Sequence, residues 1–341
     1  MLQIRDLIKV YPGPVAALQG IHLDISEGMF GLLGPNGAGK STLMQILAGI
    51  LEPTSGQVSL DGVDITSNPD HVWERLGYLP QDFGFYGHLT GRAMLAHILR
   101  LKGVRAPGGM RKLCRSLLER VNLGDAGKRK VMGYSGGMRQ RLGIAQAIAG
   151  DPRILIVDEP TAGLDPEERQ RFYLLLAELA RERIVLLSTH IVEDVSVLCS
   201  KFAIIKGGRL VARTTPEAAC AAISGAIWQG IVPTPEVGAL HASHTVLQER
   251  LQGEGTRLRL YQPDGDVPPG FQPADETLED AYLSVMRLGQ LVMPEADEPF
   301  PATEEPSPAT DEFDPDTGSD VDAAPQEDDS PDANETSGSR V

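Results

Sequence analysis

At roughly 150 residues per domain, a chain of 341 residues has room for two domains, and 41% apolar with 23% charged residues describes a globular protein, not a fibrous or peptide-sized one. Its net charge of −16 is unevenly spread: sixteen of the 47 acidic residues lie in residues 294–341 beside the single Arg340, which leaves 31 acidic and 30 basic residues in the first 293. The body is therefore nearly neutral and offers no overall field for a nucleic acid.

In chain order, LQIRDLIKV, IHLDI and QVSL alternate like half-buried strands. Arg5, Asp6 and Lys9 interrupt the first apolar residues, so no signal peptide is expected. No run reaches the roughly eighteen apolar residues of a bilayer span, even around IVLLSTHIVEDVSVL. MFGLL then runs into GPNGAGKST, and Leu43, Ile46, Leu47 and Ile50 follow at helical spacing, which predicts strand, glycine loop, helix. From about Phe83 to Tyr134 the pattern is helical, with Met94, Leu95, Ile98, Leu99 and Leu101 on one stretch and Leu113, Leu117, Leu118 and Val121 on the next. RILIVDEP and RIVLLSTH are continuous apolar runs, as in parallel strands covered on both faces, and PEERQRFYLLLAELARE between them predicts a crossover helix.

After about Pro216 the texture changes. GAIWQGIV, the pair TVLQERLQ and TRLRLYQ around a GEG turn, and ETLEDAYLSVMRLG predict a small module of strand, hairpin and closing helix. Beyond Met293, eight prolines and sixteen acids leave too few apolar side chains to offset ordering, so this tail is expected to be disordered and its deletion to leave stability and basal activity unchanged. Cys114, Cys199 and Cys220 fit neither a disulfide framework nor a zinc site and suit a reducing cytosol.

Gly34 to Ser41 reads Gly, four residues, Gly, Lys, Ser, between a predicted strand and helix. Gly37 and Gly39 permit backbone conformations that turn successive N–H groups toward a phosphate, and the helix beginning near Ser41 adds its positive end. Lys40 suits β- and γ-phosphate oxygens, and the Ser41 hydroxyl suits Mg²⁺. Kinase, GTPase and ATPase all remain open on this motif alone. ILIVDEP sets Asp158 and Glu159 at the end of a strand, where Asp158 can bind Mg²⁺ and Glu159 can polarise an attacking water.

YSGGMRQR, Tyr134 to Arg141, resembles the signature of ABC-type ATPases, and the family's other elements follow in order: Tyr11, Gln81 in YLPQD, AGLD at Ala162 to Asp165, and His190 in STH. Residues 2 to about 215 carry the resemblance. It implies an α/β fold, a P-loop NTPase core over residues 1–215 with an antiparallel β subdomain and a helical subdomain inserted at about 83–135. A C-terminal accessory region over 216–293 and the acidic tail 294–341 complete the expected organisation. Gly34, Pro35, Asn36, Gly37, Ala38, Gly39, Lys40, Ser41 and Thr42 become the ATP phosphate loop, and Tyr11 the adenine platform. Ser41, Gln81 and Asp158 become the Mg²⁺ ligands, and Glu159, His190 and Gln81 the catalytic set around the attacking water.

The resemblance further implies that Ser135, Gly136 and Gly137 serve the ATP of a second copy or a homologous subunit, with Asp165 linking the two sites. Tyr134 stands where leucine is usual. PQDFGFYGHLT, STHIVEDV, IWQGIV and TLEDAYLSVM look like the ATPase subunits of two-component bacterial exporters, which pair with a separate integral membrane permease and so sit peripherally on the cytoplasmic face of the membrane. Phe83, Phe85, Tyr86 and Leu89 then fall where a permease helix docks, with Phe85 or Tyr86 the foremost contact. A soluble ABC ATPase without a permease is the competing reading; intact Glu159 and His190 argue against a catalytically dead regulator. Lys128, Arg129 and Lys130 are expected to be simply solvated, and no nucleic-acid partner is expected.

Overall fold

The computed structural model describes residues 1–13, 15–67, 73 and 75–289. The acidic tail, with the expectation of disorder made for it, lies outside the described residues.

An antiparallel sheet opens the fold, with strands β1 (Leu2–Tyr11), β2 (Val15–Ile25), β4 (Ser55–Leu60) and β5 (Val63–Asp64) in the order β2-β1-β4-β5. In β1 the buried residues are Leu2, Ile4 and then Leu7, so the alternation changes phase. A register shift between Ile4 and Leu7 makes that change, with Asp6 at φ 45°. Gly56 of β4 accommodates it: a Cβ there would lie 2.2 Å from the Asp6 carbonyl oxygen. IHLDI is only the second half of β2, whose first residues, VAALQG, carry no strong alternation of their own.

The central sheet has the order β10-β9-β3-β8-β7-β6, built from β3 (Gly28–Leu33), β6 (Leu76–Leu79), β7 (Ile154–Asp158), β8 (Ile184–Thr189), β9 (Lys201–Lys206) and β10 (Arg209–Thr214). All neighbours are parallel except the β9–β10 hairpin. Their uniform apolar runs follow from two cores, one on each face. Ile154, Ile156, Ile184 and Leu186 pack with the antiparallel sheet and with helix α1 (Lys40–Leu47). Their neighbours Leu155, Val157, Val185 and Leu187 pack with the helical layer.

That second layer holds α2 (Gly91–Leu101), α3 (Met110–Arg120), α4 (Gly136–Ala147), the crossover helix α5 (Pro166–Leu179) and α6 (Val192–Leu198). Two positions depart from the helical expectation. α1 stops at Leu47 because Gly49 turns into the left-handed region (φ 67°), which leaves Ile50 63% exposed. Leu101 repeats the Met94 position seven residues on, but it ends α2 and is 75% exposed.

After the short helix α7 (Pro216–Ala221) comes a third, antiparallel sheet, β12-β13-β11-β14, from β11 (Ile227–Pro233), β12 (Thr245–Gln252), β13 (Gly255–Tyr261) and β14 (Gln272–Pro273), with α8 (Val237–Ser243) beside β12. The expected hairpin is β12–β13. Helix α9 (Leu278–Leu288) starts with a capping box between Thr277 and Asp280 and ends at Gly289, φ 80°. Its Leu278, Ala281 and Val285 join the same core as Val195 and Phe202 of the central body.

Candidate functional site

The loop between β3 and α1 is shaped by where a Cβ cannot go. At Gly34 it would lie 2.4 Å from the Ile205 carbonyl oxygen, and at Gly39 (φ 104°) 2.4 Å from that of Ala17. Gly37 (φ 79°) faces open space, the side from which a ligand can approach the backbone N–H groups. Pro35, Asn36 and Ala38 complete the loop, and Ser41 and Thr42 lie half-buried in the first turn of α1.

Lys40 is only 4% exposed. Its ammonium donates to the carbonyls of Gly34 (2.8 Å) and Pro35 (3.1 Å) and lies 3.3 Å from Glu159 Oε1. Glu159 Oε2 is 3.1 Å from His190 Nδ1 and accepts from Gln81 Nε2 at 3.4 Å. Four residues from four separate stretches, Lys40, Gln81, Glu159 and His190, thus meet at one carboxylate. Glu159 itself sits at φ 46°, with its N–H donating to Ser188 O at 2.9 Å. A non-glycine residue in that region is strained, and such strain gathers at functional sites.

Asp158, at the end of β7, is 2% exposed, and its Oδ1 is buried without a hydrogen-bond partner. Burial raises its carboxyl above the usual range, against the pull of the Ser188 and Ser41 hydroxyls and the Lys40 ammonium. A buried carboxylate oxygen with no donor, beside the Ser41 hydroxyl, fits a hard divalent cation. Among the described residues no cluster of three or more His, Cys, Asp or Glu could hold a metal. Replacing Asp158 by Asn is expected to raise the metal-free melting midpoint while abolishing Mg²⁺-dependent turnover, because a raised carboxyl pKa means that ionisation opposes folding as pH rises toward neutrality. Calorimetry at pH 7 with EDTA, and phosphate release with Mg²⁺ and ATP, check the two halves.

Tyr11, half-buried at the end of β1, reaches the first turn of α1: its hydroxyl is 3.5 Å from Thr42 Oγ1, and the Lys9 ammonium lies 5.4 Å from its ring centroid. Tyr11 therefore belongs to the Lys40 side of the site.

Ser135, Gly136, Gly137 and Asp165 form a second group, with no hydrogen bond or ion pair to the Lys40 cluster among the described residues. Ser135 caps α4, its Oγ accepting from Met138 N at 3.1 Å, and Asp165 caps α5, accepting from Glu168 N at 2.8 Å. Glu168 joins the two caps: Ser135 Oγ donates to it at 3.4 Å, Arg141 pairs with it at 3.1 Å, and a Cβ on Gly137 would strike it at 2.2 Å. Tyr134, the departure from the usual signature, is buried; its hydroxyl donates to Ala126 O at 2.8 Å and fills the space beside Gly91, where a Cβ would lie 2.0 Å away. The phenol thus ties the start of α2 to the turn that presents Ser135.

Asp194 escaped the motif reading. Fully buried on the first turn of α6, it accepts from Thr161 Oγ1 (2.6 Å), Thr189 Oγ1 (2.8 Å) and Tyr173 OH (2.5 Å). Thr161 follows Glu159 by two residues and Thr189 immediately precedes His190, so one carboxylate holds both loops. Burial and the Asp194 carboxylate hold the Tyr173 phenol well above its ordinary pKa. The signal in the sequence was an acid four residues after His190, where the first turn of a helix would fall.

Comparison with known proteins identifies relatives of this chain. The family described as ABC transporter matches residues 18–162. An uncharacterised ABC transporter ATP-binding protein, YxlF of Bacillus subtilis (strain 168), is 39% identical over 211 residues, covering 62% of this chain and 69% of that one. The Nod factor export ATP-binding protein I of Burkholderia orbicola (strain AU 1054) is 36% identical over 219 residues, covering 64% and 71%. Among solved structures, the ATP-binding cassette MJ0796, a dimer in a post-hydrolysis state bound to ADP and Pi, superposes with a TM-score of 0.57 at 26% identity, covering 63% of this chain and 98% of that one. The chain spans about a quarter to a third of the length of the Arabidopsis thaliana ABC transporter A family members that it also matches. With two relatives more than a third identical and covered over more than two thirds of their own length, the chain belongs to the ABC transporter family as one of its ATP-binding, ATP-hydrolysing cassettes.

Proposed function

We propose that this cassette drives an exporter, working as a dimer with a second copy or a homologous subunit and coupling ATP-driven closure to a separate membrane permease. The meeting of Lys40, Gln81 and His190 at the Glu159 carboxylate carries the catalytic part of this reading. Tyr11 stacks on adenine, and the loop from Gly34 to Thr42 wraps the phosphates with Lys40 against the β- and γ-oxygens. Ser41 and Asp158, with Gln81, would hold Mg²⁺, which neutralises charge on the phosphoryl oxygens. Glu159 takes a proton from the attacking water as its oxygen bonds the γ-phosphorus, and the bond to the β–γ bridging oxygen breaks, releasing ADP and phosphate. His190 holds the water and Glu159 in line. Ser135, Gly136 and Gly137 complete the partner's nucleotide site, and Asp165 lies at the seam between them.

The exporter assignment draws on the Burkholderia relative, which is named for Nod factor export. Among the described residues no helix is long and apolar enough to cross a membrane. The contact surface narrows on inspection. Phe83, Phe85 and Leu89 pack against the core, with the two phenylalanine rings 5.0 Å apart, whereas Tyr86 is 57% exposed with the rings of His88 and His97 about it at 6.0 and 5.7 Å. Tyr86→Ala is expected to leave folding and basal ATP turnover intact while weakening copurification with an integral membrane protein by about tenfold, the effect of losing one aromatic anchor. If the unmodified chain at native expression fractionates wholly away from membranes and crosslinks to no integral membrane protein, the transporter reading fails.

A further inference from the structure

A cavity of about 710 Å³ lies between the catalytic body and the third sheet, with His190, Ile191 and Val192 on one side and β12 and β13 on the other. Arg250, Arg257 and Arg259 all line it. They share one face of the sheet: Arg250 stands directly opposite Arg257, and Arg259 follows two residues on. Arg259 is fully engaged, its guanidinium forked onto Asp280 at 2.9 and 2.6 Å, with further bonds to Asp275 O at 2.6 Å and Gln229 Oε1 at 3.3 Å.

Arg250 and Arg257 are not. Neither makes an ion pair among the described residues, and Arg257 Nε is buried without an acceptor. Arg250 is exposed and its charge is screened by water, whereas Arg257 is half-buried and its unmet Nε opposes folding until an acceptor meets it. The opposing side, from α9 and α6, sets Val192, Leu278, Tyr282 and Leu283 beside the polar Ser196 and Thr277. Its two carboxylates are exposed: Glu193 is 3.4 Å from Arg169, and Glu279 stands in the first turn of α9. The volume falls within the roughly 300–1,000 Å³ of small-molecule sites.

We propose that this cavity is a binding site for a small organic anion, an oxyanion head held by Arg250 and Arg257 and an aromatic or apolar body laid against Tyr282 and Leu283. The site takes in no residue of the phosphate loop, although His190 borders both, and it stands whether or not the chain drives an exporter. Guanidinium forks donate to carboxylate and phosphate alike, so both head groups enter the test. The full chain, with its nucleotide site filled by MgADP, is titrated by calorimetry with naphthalene-2-carboxylate, 2-naphthyl phosphate and neutral naphthalene-2-carboxamide. At least one anion is expected to bind saturably at one equivalent, the carboxamide far more weakly, and Arg257→Gln to weaken the anion by about tenfold or more, as loss of a charge-assisted fork does. The anion that binds tighter identifies the head group. An unchanged melting midpoint and MgADP affinity certify that the variant is folded, and Arg250→Gln repeats the test at the second cation. The proposal is overturned if neither anion binds saturably at millimolar concentration, if the carboxamide binds equally well, or if both arginine variants keep the wild-type affinity.

Discussion

Glu159→Gln is expected to lower ATP turnover by about a hundredfold or more while leaving ATP binding intact. The carboxylate is the one group touched by Lys40, His190 and Gln81 together, at 3.3, 3.1 and 3.4 Å. The amide keeps its size but surrenders both the negative charge and one acceptor oxygen, so nothing remains at that point to take the proton of water. Lys40, Ser41 and Asp158 stay in place. The backbone at φ 46° is equally strained with either side chain, but the buried Lys40 ammonium loses its ion-pair partner, so the melting midpoint should fall while the chain stays folded at about 25 °C. Unhydrolysed ATP then accumulates, and with Mg²⁺ present light scattering should report twice the monomer mass. Turnover within a few-fold of wild type would remove Glu159 from its assigned role.

The other large effect is on stability. Asp194→Ala removes the shared acceptor of Thr161, Thr189 and Tyr173, stranding three buried hydroxyls at once, and is expected to cost about 3 kcal/mol or more, at roughly 1–3 kcal/mol for each buried group left unsatisfied. Asp194→Asn keeps one acceptor oxygen and the volume, so its loss should be clearly smaller. Both variants should also lose turnover at temperatures where they remain folded, because the loops bearing Glu159 and His190 lose their common anchor. Urea denaturation and phosphate release measure the pair; a loss below about 1 kcal/mol for Asp194→Ala, within the range of a single neutral hydrogen bond, would reduce Asp194 to a bystander.

Much of this site was legible because its residues carry their chemistry in local patterns. The glycine loop, the acid pair after an apolar run, and His190 after another are each defined within ten residues, and parallel strands place their ends together. Asp194 and Glu168 were not legible for the opposite reason. Each acts through hydroxyl, guanidinium or backbone partners from separate segments, and an acid on an ordinary helix reads as a solvated charge. The paired arginines of β12 and β13 are invisible for a related reason, since only the register brings Arg250 against Arg257. Periodicity identified the apolar faces of α1 and α2 but not where each face runs out, which is how Ile50 and Leu101 came to be expected inside. The phase change within β1 likewise depends on a bulge that Gly56 of another strand makes possible.

The shared core of α9 and the catalytic body sets a limit on modular exchange. Ala219, Ile223, Ile227, Leu247, Leu278, Ala281 and Val285 pack in one continuous cluster with Val195, Phe202 and Ile204, and Lys206 Nζ donates to Met286 O at 2.7 Å. A chimera that grafts a foreign C-terminal segment after residue 215 therefore inherits a bare apolar face behind β9 and α6, and its donor must bring matching side chains. Any change in the apolar side chains after Pro216 must therefore be matched by those of β9 and α6, a constraint that does not reach exposed positions such as Tyr86.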